Sequence, residues 1–325
     1  MKRMSTLQKA VAALFVAGAL LPIDASAQMP ARFYWKPLAN ARAVPLIVES
    51  ISGNTNPFDP SHTVNASADV DAFMALVGYA HVFPLFGRAT MVAAMAPVGR
   101  ISGDVIIEGN TFTQSAGGFG DPMLEVNVNL IGPRAQTSLP DALRYEPKFS
   151  LDFLGDLAFP IGEYEGDQPL NIGQNRWYGR LGLSVIWQLG PWVPGRRTTV
   201  ELLPAVWFFG DNDNYVGRTL QTDPLFQLDF HLTRDFTERL WGALDVAWYV
   251  GGEAKIGGVE GEMLNNVGVG FTLGYEINDN LGLTFGYKTT VADSAPDDLQ
   301  MNRFMASLVF GWHPLLEGAK RLQDE

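Results

Sequence analysis

The segment 224–234 reads PLFQLDFHLTR, and its side chains alternate between apolar and polar. Phe or Leu occupies every even position from Phe226 to Leu232, while Gln, Asp, His and Thr occupy the odd positions from Gln227 to Thr233. Successive side chains of a β-strand point to opposite faces. The period of two therefore predicts a strand with one apolar and one polar face.

The same alternation recurs along the chain and predicts about twelve strands. Most of them have about 10 residues or more, which suits a tilted crossing of a bilayer, whereas strands in soluble sheets usually have about five or six. The predicted strands lie near 44–52, 70–82, 88–98, 121–131, 147–158, 176–189, 198–209, 224–234, 240–250, 265–277, 281–290 and 301–312.

The connections between these strands alternate in length. Long stretches rich in Gly, Asn, Asp and Pro, such as 99–120 and 159–175, alternate with short ones such as 278–280, and the stretch 132–146 is the exception. Alternating long loops and short turns are typical of transmembrane barrels. The sequence predicts an all-β fold: an up-and-down antiparallel transmembrane barrel of about 12 strands (10–14), with short periplasmic turns and long external loops.

Composition agrees with a barrel and excludes other classes. The 325 residues are 47% hydrophobic and only 18% charged, yet the mean hydropathy is just +0.04. This combination excludes a helical membrane protein and a disordered chain. The absence of Cys excludes disulfides, thiolate zinc sites and a Cys nucleophile, and the net charge of −12 argues against a nucleic-acid partner.

The first 27 residues have the features of an export signal. Lys2 and Arg3 precede an apolar run at 10–21, and Ala25-Ser26-Ala27 is a small-residue cleavage site. We therefore expect a signal peptide cleaved after Ala27 and a location in the bacterial outer membrane. The predicted organisation is signal peptide 1–27, an amino-terminal segment 28–43 that is either a plug or periplasmic, a barrel 44–312, and a tail 313–325.

A soluble β-sandwich is the alternative fold, because its strands also alternate. A packed sandwich core cannot accommodate acidic residues in the middle of strands. Seven such residues lie on the less apolar face: Glu125, Asp152, Asp156, Glu201, Asp229, Asp245 and Glu276. Aromatic residues near strand ends also predict interfacial girdles, and Trp241, Trp248 and Tyr249 are among them.

Six short motifs occur in one order. They are GGFGDP at 117–122, FPIGEY at 159–164, NIGQNRW at 171–177, FFGDNDNY at 208–215, QTDPL at 221–225 and GGE at 251–253. In these motifs the chain resembles the outer-membrane transporter family labelled as the MetA pathway of phenol degradation. The resemblance implies a Gram-negative outer-membrane barrel that takes up small, often aromatic or hydrophobic, compounds.

If the apolar face of each strand contacts lipid, the polar face lines the lumen. The candidate lumen-lining residues are Glu125, Asn127, Asn129, Lys148, Asp152, Asp156, Arg176, Arg180, Gln188, Glu201, Asp229, His231, Asp245, Glu276, Lys288 and Arg303. One interpretation is that these acids and bases pair and brace the wall. Otherwise, their excess of acids favours cations or neutral solutes over anions.

The function predicted from these features is a channel or transporter for small solutes. The alternatives are a structural or adhesive barrel without transport and, with less support, a lipid-modifying enzyme. No catalytic motif is present, and the Asp211-Asn212-Asp213-Asn214 run lacks the Gly and distal Glu of a calcium loop, so no catalytic residue, metal or cofactor is predicted. The expected partners are outer-membrane lipids and lipopolysaccharide, the barrel assembly machinery and a small-molecule solute.

Overall fold

A computed structural model describes residues 30–35, 38–65, 68–107, 109–291 and 298–314. The predicted signal peptide lies outside the described residues, as does the predicted tail from residue 315 onward. The strands are β1 (Arg42–Gly53), β2 (Asp69–Leu85), β3 (Arg88–Ile107), β4 (Asn110–Phe119), β5 (Met123–Ile131), β6 (Phe149–Ala158), β7 (Tyr178–Gln188), β8 (Thr198–Phe209), β9 (Asn212–Tyr215), β10 (Arg218–Thr222), β11 (Leu225–Asp235), β12 (Leu240–Gly251), β13 (Ala254–Ile256), β14 (Val259–Glu260), β15 (Leu264–Asn278), β16 (Leu281–Val291) and β17 (Met301–Trp312); one short helix, α1, spans Leu139–Leu143.

Twelve of the described strands form a closed antiparallel barrel. Around the barrel the order is β2, β1, β17, β16, β15, β12, β11, β8, β7, β6, β5 and β3, and pairing of β2 with β3 closes the ring. The first and last barrel strands pair along their whole length, from Arg42 opposite Trp312 to Gly53 opposite Met301. Closure leaves no free edge in this ring of twelve described strands, which is the condition for a β-structure in a bilayer.

All twelve predicted strands are confirmed, but the predicted loop 99–120 is wrong. β3 continues to Ile107, and β4 pairs with it from Asn110 to Phe119. This hairpin was hidden because Gly and polar residues interrupt the apolar alternation. Within the predicted loops after β8 and β12, the short strands β9, β10, β13 and β14 form a second small sheet.

Each end of the barrel has its own type of connection. The long-loop end carries the connections after β1, β3, β6, β8, β12 and β16, and the short-turn end carries the others. The connection 132–148, which contains α1, is the long exception at the short-turn end. Among the described residues, no helix has the length and apolarity needed to cross a membrane.

The outer surface of the barrel is apolar. Large apolar side chains such as Phe73, Leu183, Leu244, Phe271 and Phe310 project outward from the strands and are exposed. Exposing an apolar surface of this extent to water is unfavourable, and on a closed barrel such a surface is in contact with lipid. The alternation read from the sequence thus separates an outer apolar surface from the barrel interior.

Among the aromatic residues assigned to an interfacial girdle, Trp241 and Tyr249 face inward instead. Trp241 is buried beneath Arg32, whose guanidinium carbon lies 4.4 Å from the indole centroid. Tyr249 is fully buried, with its ring 5.1 Å from that of His62. Both residues share strand parity with Asp245, so the same alternation that places Trp248 outside places them inside.

Candidate functional site

The inward side chains of the barrel divide into two walls. We call those of β1–β3 the apolar wall and those of β5–β8, β11, β12 and β15–β17 the polar wall. Buried members of the apolar wall are Ile47, Ile51, Val70, Ala72, Met74, Ala93, Met95 and Ile101. Buried charged members of the polar wall are Glu125, Asp152, Asp156, Arg180, Glu201, Asp229, His231, Asp235, Asp245, Lys288 and Arg303.

Most of the predicted lumen residues therefore lie inside the barrel, and Asn127 and Asn129 are buried with them. Four candidates lie at its ends. Lys148 is exposed just before β6, Gln188 ends β7 and accepts a hydrogen bond from the Lys148 N–H at 3.0 Å, and Glu276 is exposed near the short-turn end. Arg176 is buried, but it precedes β7 at the long-loop end.

Several charged side chains of the polar wall form close pairs. Arg180 Nε donates to Asp156 Oδ2 at 2.6 Å, and its Nη2 lies 3.9 Å from Glu125 Oε2. His231 Nδ1 lies 2.5 Å from Asp245 Oδ1, and the Thr272 hydroxyl donates to the other oxygen of Asp245 at 2.6 Å. Pairing offsets the cost of burying these charges and fixes the side chains against the wall.

Some buried polar atoms of the wall have no hydrogen-bond partner within the described protein. They include Lys288 Nζ, Glu125 Oε1 and Asp156 Oδ1. Leaving such atoms unsatisfied is costly, so they are natural contact points for water or a polar part of a solute. The polar wall is therefore braced by pairs and still offers hydrogen-bonding capacity to the interior.

Sequence reasoning missed Glu49, although it belongs to the interior. It is the only buried charged side chain among the described residues of β1–β3, and it pairs with Arg303 of β17. Glu49 shares parity with Pro45, Ile47 and Ile51, which gave the impression of a wholly apolar face. The register of β1 against β17 places it beside Arg303, and this pairing is a tertiary feature with no local signal.

The six motifs meet at the long-loop end. Asp121 accepts hydrogen bonds from the N–H groups of Gly162 and Gln174, both at 2.8 Å, and so joins three motifs through one carboxylate. Burial raises the pKa of Asp121, while these two N–H donors act in the opposite direction. Gly162 and Gly173 approach so closely that a Cβ on Gly162 would lie 2.8 Å from the Gly173 Cα. The glycines of these motifs thus allow backbone contact.

The motif FFGDNDNY joins the same cluster through Asn212. Its amide nitrogen donates to the Tyr164 hydroxyl at 2.8 Å and to the Gln174 carbonyl at 3.1 Å, and its Oδ1 accepts from Asn175 Nδ2 at 3.0 Å. These oxygens and nitrogens are engaged in holding loops together. Among the described residues, no group of three His, Asp or Glu side chains is arranged to hold a metal ion.

Residues 54–62, which we call the cap loop, fold from the end of β1 toward the barrel interior. Arg176 holds this loop through Nη2, which lies 2.8 Å from Asp59 Oδ2 and 3.2 Å from Ser61 Oγ. Asn56 Nδ2 donates to the Asn171 carbonyl at 2.8 Å. The motif cluster therefore positions the cap loop over the long-loop end of the lumen.

The described residues 30–35, which we call the amino-terminal segment, contact the polar wall from inside. Glu201 accepts hydrogen bonds from the Arg32 N–H at 2.8 Å and from Trp35 Nε1 at 2.7 Å. Arg32 Nη1 pairs with Asp235 at 2.7 Å, and the Tyr34 hydroxyl lies 3.4 Å from Glu125. These bonds place the segment within the barrel toward the short-turn end.

A cavity of about 160 Å³ lies between the cap loop and both walls. Its apolar lining includes Met74, Leu76, Met95, Met123 and Phe58, and its polar lining includes Glu49, His62, Asp121, Arg180, Gln227 and Arg303. Apolar sites with a few placed polar groups are typical of small-molecule binding. This cavity is the strongest candidate site in the described part of the chain.

The sequence matches the family described as "Putative MetA-pathway of phenol degradation" over residues 53–308. The chain belongs to this family. The family's matched region runs from the end of β1 into β17 and includes all six motifs. No curated protein matches the chain by sequence.

A solved structure shows the same fold. An outer membrane channel from Pseudomonas putida F1 superposes with a TM-score of 0.68 at 17% identity, over 88% of this chain and 100% of that chain. The translocator domain of the autotransporter NalP from Neisseria meningitidis gives a TM-score of 0.48 at 10% identity, over 94% of this chain and 97% of that one. The first likeness establishes the fold as that of an outer-membrane barrel.

Proposed function

We propose that this protein is an outer-membrane channel for the uptake of small, partly apolar solutes. The observation that carries the proposal is the cavity inside the barrel, where methionine side chains of the apolar wall face charged pairs of the polar wall. The outward apolar surface supports a location in a bilayer, with the long-loop end outside and the short-turn end in the periplasm.

The amino-terminal segment acts as a plug in this proposal. Its described hydrogen bonds to the barrel go to side chains, chiefly Glu201 and Asp235, rather than to strand backbones. Side-chain bonds of this kind can be broken without disturbing the barrel ladder. In this proposal a solute moves along the barrel axis, and the segment obstructs that path on the periplasmic side while the cap loop obstructs it on the outer side.

The charges of the lumen favour neutral and cationic solutes over anions. Carboxylates outnumber permanent cations among the buried residues of the polar wall, and Glu49 adds to them. Rings of carboxylates select against anions in pores. Small aromatic and other hydrophobic solutes, as the family's description suggests, fit both the apolar wall and this charge balance.

Conductance in planar bilayers tests the proposal. We expect small single-channel conductance from the intact protein and a larger conductance from Glu201→Gln, because the substitution weakens the bonds that hold Arg32 and Trp35. Glu146→Gln is the matched control, since Glu146 is exposed at the short-turn end. It should leave the conductance unchanged.

A structural or adhesive barrel without transport gives different results. In that case neither the intact protein nor Glu201→Gln conducts ions, and liposomes containing the protein take up no phenol or glucose. These results together would exclude the channel. Equal conductance of Glu201→Gln, Glu146→Gln and intact protein would keep the channel and exclude the plug.

A further inference from the structure

Two cavities lie inside the barrel along β1 and β17. The outer one is the candidate site of about 160 Å³, and Glu49 of β1 and Arg303 of β17 are in its lining. The inner one, of about 330 Å³, has Ile47 of β1 and Ser307 of β17 in its lining. Ile47 and Ser307 lie nearer the short-turn end than Glu49 and Arg303 do. The two cavities therefore follow one another along the barrel axis.

The inner cavity lies beside the amino-terminal segment. The segment is held by bonds to Glu125, Glu201 and Asp235, on β5, β8 and β11. On its other side, the cavity separates it from β1, β16 and β17, whose lining residues include Pro45, Ile47, Leu281, Thr284, Ser307 and Val309. The segment thus occupies the lumen on the side of β5, β8 and β11 and leaves space on the side of β1, β16 and β17.

A cluster of apolar side chains separates the two cavities. It consists of Ile47, Met95 and Met305, which are buried against one another, and of Leu76, which packs against them. Leu76 and Met95 line the outer cavity, whereas Ile47 lines the inner one. The cluster therefore has one face in each cavity, and we call these four side chains the septum.

Both methionines of the septum lie over glycines. A Cβ on Gly78 would lie 2.9 Å from Cγ of Met95, and a Cβ on Gly286 would lie 3.1 Å from Cε of Met305. The methionines thus occupy volume that a larger residue at either glycine would take. Met is unbranched and has three rotatable bonds, so its side chain adapts its shape more readily than a β-branched one. The septum is closed, but two of its four side chains are adaptable.

An ion pair borders the outer face of the septum. Arg303 Nη2 pairs with Glu49 and lies 3.8 Å from Sδ of Met305. The lining of the lumen therefore changes from charged to apolar within two residues of β17. Apolar constrictions in pores exclude water and hydrated ions. The septum has the composition and the position of such a constriction.

We propose that the septum is a hydrophobic gate, and that solutes cross it from the outer to the inner cavity and leave beside the amino-terminal segment, on the side of β1, β16 and β17. The inference rests on the proposed channel function and names the residues that close the channel. Ile47, Met95 and Met305 then determine specificity, because an ion must lose hydration to cross an apolar constriction and an uncharged solute loses far less. Passage on this side leaves the bonds of the segment intact.

Conductance of the full-length mature protein in planar bilayers, with potassium chloride as the electrolyte, tests the gate. Met305→Gln keeps the length of the side chain and makes it polar, so water remains in the constriction. We expect its single-channel conductance to be severalfold that of the intact protein. Met301→Gln is the matched control, because Met301 lies on the same strand and inward face, in a separate apolar cluster, and lines neither cavity. It should conduct like the intact protein.

Introduced thiols test the route, because the chain contains no Cys. Ser307→Cys places a thiol in the inner cavity. Ser184→Cys places one on the opposite side of the segment, where Ser184 and Tyr34 line a space of about 20 Å³. Both are made in the Met305→Gln background and treated with a trimethylammonium-ethyl methanethiosulfonate. We expect the reagent to remove most of the conductance of Ser307→Cys and to leave that of Ser184→Cys unchanged.

Heat-dependent gel mobility verifies that each variant is folded. An unchanged conductance of folded Met305→Gln, or an equal rise in Met301→Gln, would overturn the gate. Conductance of Ser307→Cys that survives the reagent would overturn the route. These results leave the channel in place, because the protein still conducts. Absence of conductance and uptake in the intact protein, Glu201→Gln and Met305→Gln would instead exclude the channel itself.

Discussion

The two walls of the barrel interior bury their side chains in opposite ways. On the polar wall, several buried charged and polar side chains contact partners, as Arg180 contacts Asp156 and His231 contacts Asp245. On the apolar wall, the buried side chains are mainly Met, Ile, Val and Ala, which need no partner, and Glu49 is the charged exception among the described residues. Paired charges have one favourable geometry, whereas Met and Leu can repack around different shapes.

This difference suggests a division of roles. The polar wall fixes the amino-terminal segment through Glu201 and Asp235 and holds a defined lumen shape. In the proposed function, the apolar wall offers a nonpolar solute a surface without directional bonds. Both walls line the cavity, so a solute bound there would contact both, and substitutions on each wall can separate their contributions.

Breaking the central pair of the polar wall should have the largest effect. Arg180→Met leaves the buried carboxylates of Asp156 and Glu125 without their cation, and removing one partner of a buried ion pair typically costs about 3–5 kcal/mol. We expect a loss of this size in the free energy of unfolding, measured by urea titration in lipid vesicles. A loss below about 1 kcal/mol would contradict the importance of the pairing.

The control for this substitution is Arg144→Met. Arg144 is exposed at the end of α1, at the short-turn end of the barrel. Substitutions at exposed charges usually change stability by less than about 0.5 kcal/mol. A similar loss in both variants would show that the effect arises from removing any Arg rather than from exposing two buried carboxylates.

Lowering the pH should destabilise the contact between the cap loop and both walls. The pKa of His62 is about 4 in the folded protein and near 6.5 in an unfolded chain. Below about pH 6.5 the unfolded state binds a proton that the folded state does not, so stability falls as the pH falls toward 4. The full loss corresponds to about 3 kcal/mol.

The measurement is the difference in unfolding free energy between intact protein and His62→Leu, at pH 7.5 and at pH 4.5. The difference removes contributions from the other ionisable groups near the cavity. Asp121 in particular acts in the opposite direction, because its raised pKa favours the folded state at low pH. The other ionisable groups near His62 are Asp59 on the same cap loop, Arg176, which holds Asp59, and the cavity residues Glu49, Asp121, Arg180 and Arg303. A pH-independent difference would contradict the prediction.

The sequence predicted the polar wall well and the apolar wall poorly, for one physical reason. Alternation reveals a strand when its two faces differ, as in 224–234, and most of the predicted lumen residues are buried inside the barrel. In β2 and β3 both faces are largely apolar. The sequence of 72–99 therefore predicts strands, but it does not indicate which side chains point into the barrel and which point outward.

The cavity residues contributed by loops were not predictable at all. His62 stands in a Ser-His-Thr sequence without any pattern, and only the folding back of the cap loop brings it to Met74 and Arg180. The motif residues Asp121 and Arg176 were assigned to a strand start and to the lumen wall, whereas they hold loops together across long sequence separations. Such contacts depend on register and loop path.

Removing one hydrogen bond from the polar wall should have a smaller effect than breaking an ion pair. Thr272 is fully buried and its hydroxyl donates to Asp245 Oδ2 at 2.6 Å. Thr272→Val keeps the shape and loses this bond to a charged acceptor, for an expected cost of about 1.5–3 kcal/mol in urea unfolding. Thr237→Val, at an exposed turn, is the control, and equal losses in both variants would contradict a special role of the buried bond.

The smallest effect is expected from Met95→Leu on the apolar wall. Met95 is buried there and lines the cavity, and a swap between Met and Leu conserves volume and polarity. Such swaps usually cost less than about 1.5 kcal/mol, so the urea midpoint should hardly move.

Binding should respond more, because Leu cannot reproduce the sulfur contact with an aromatic ring or the flexibility of Met. We expect phenol and toluene to bind two- to threefold more weakly, which corresponds to about 0.5 kcal/mol. Together with unchanged stability, this result would show that the apolar wall contributes to solute binding rather than to the stability of the fold. The opposite result, a large loss of stability with unchanged binding, would mean that the apolar wall is an ordinary packed core and that the two walls do not differ in role.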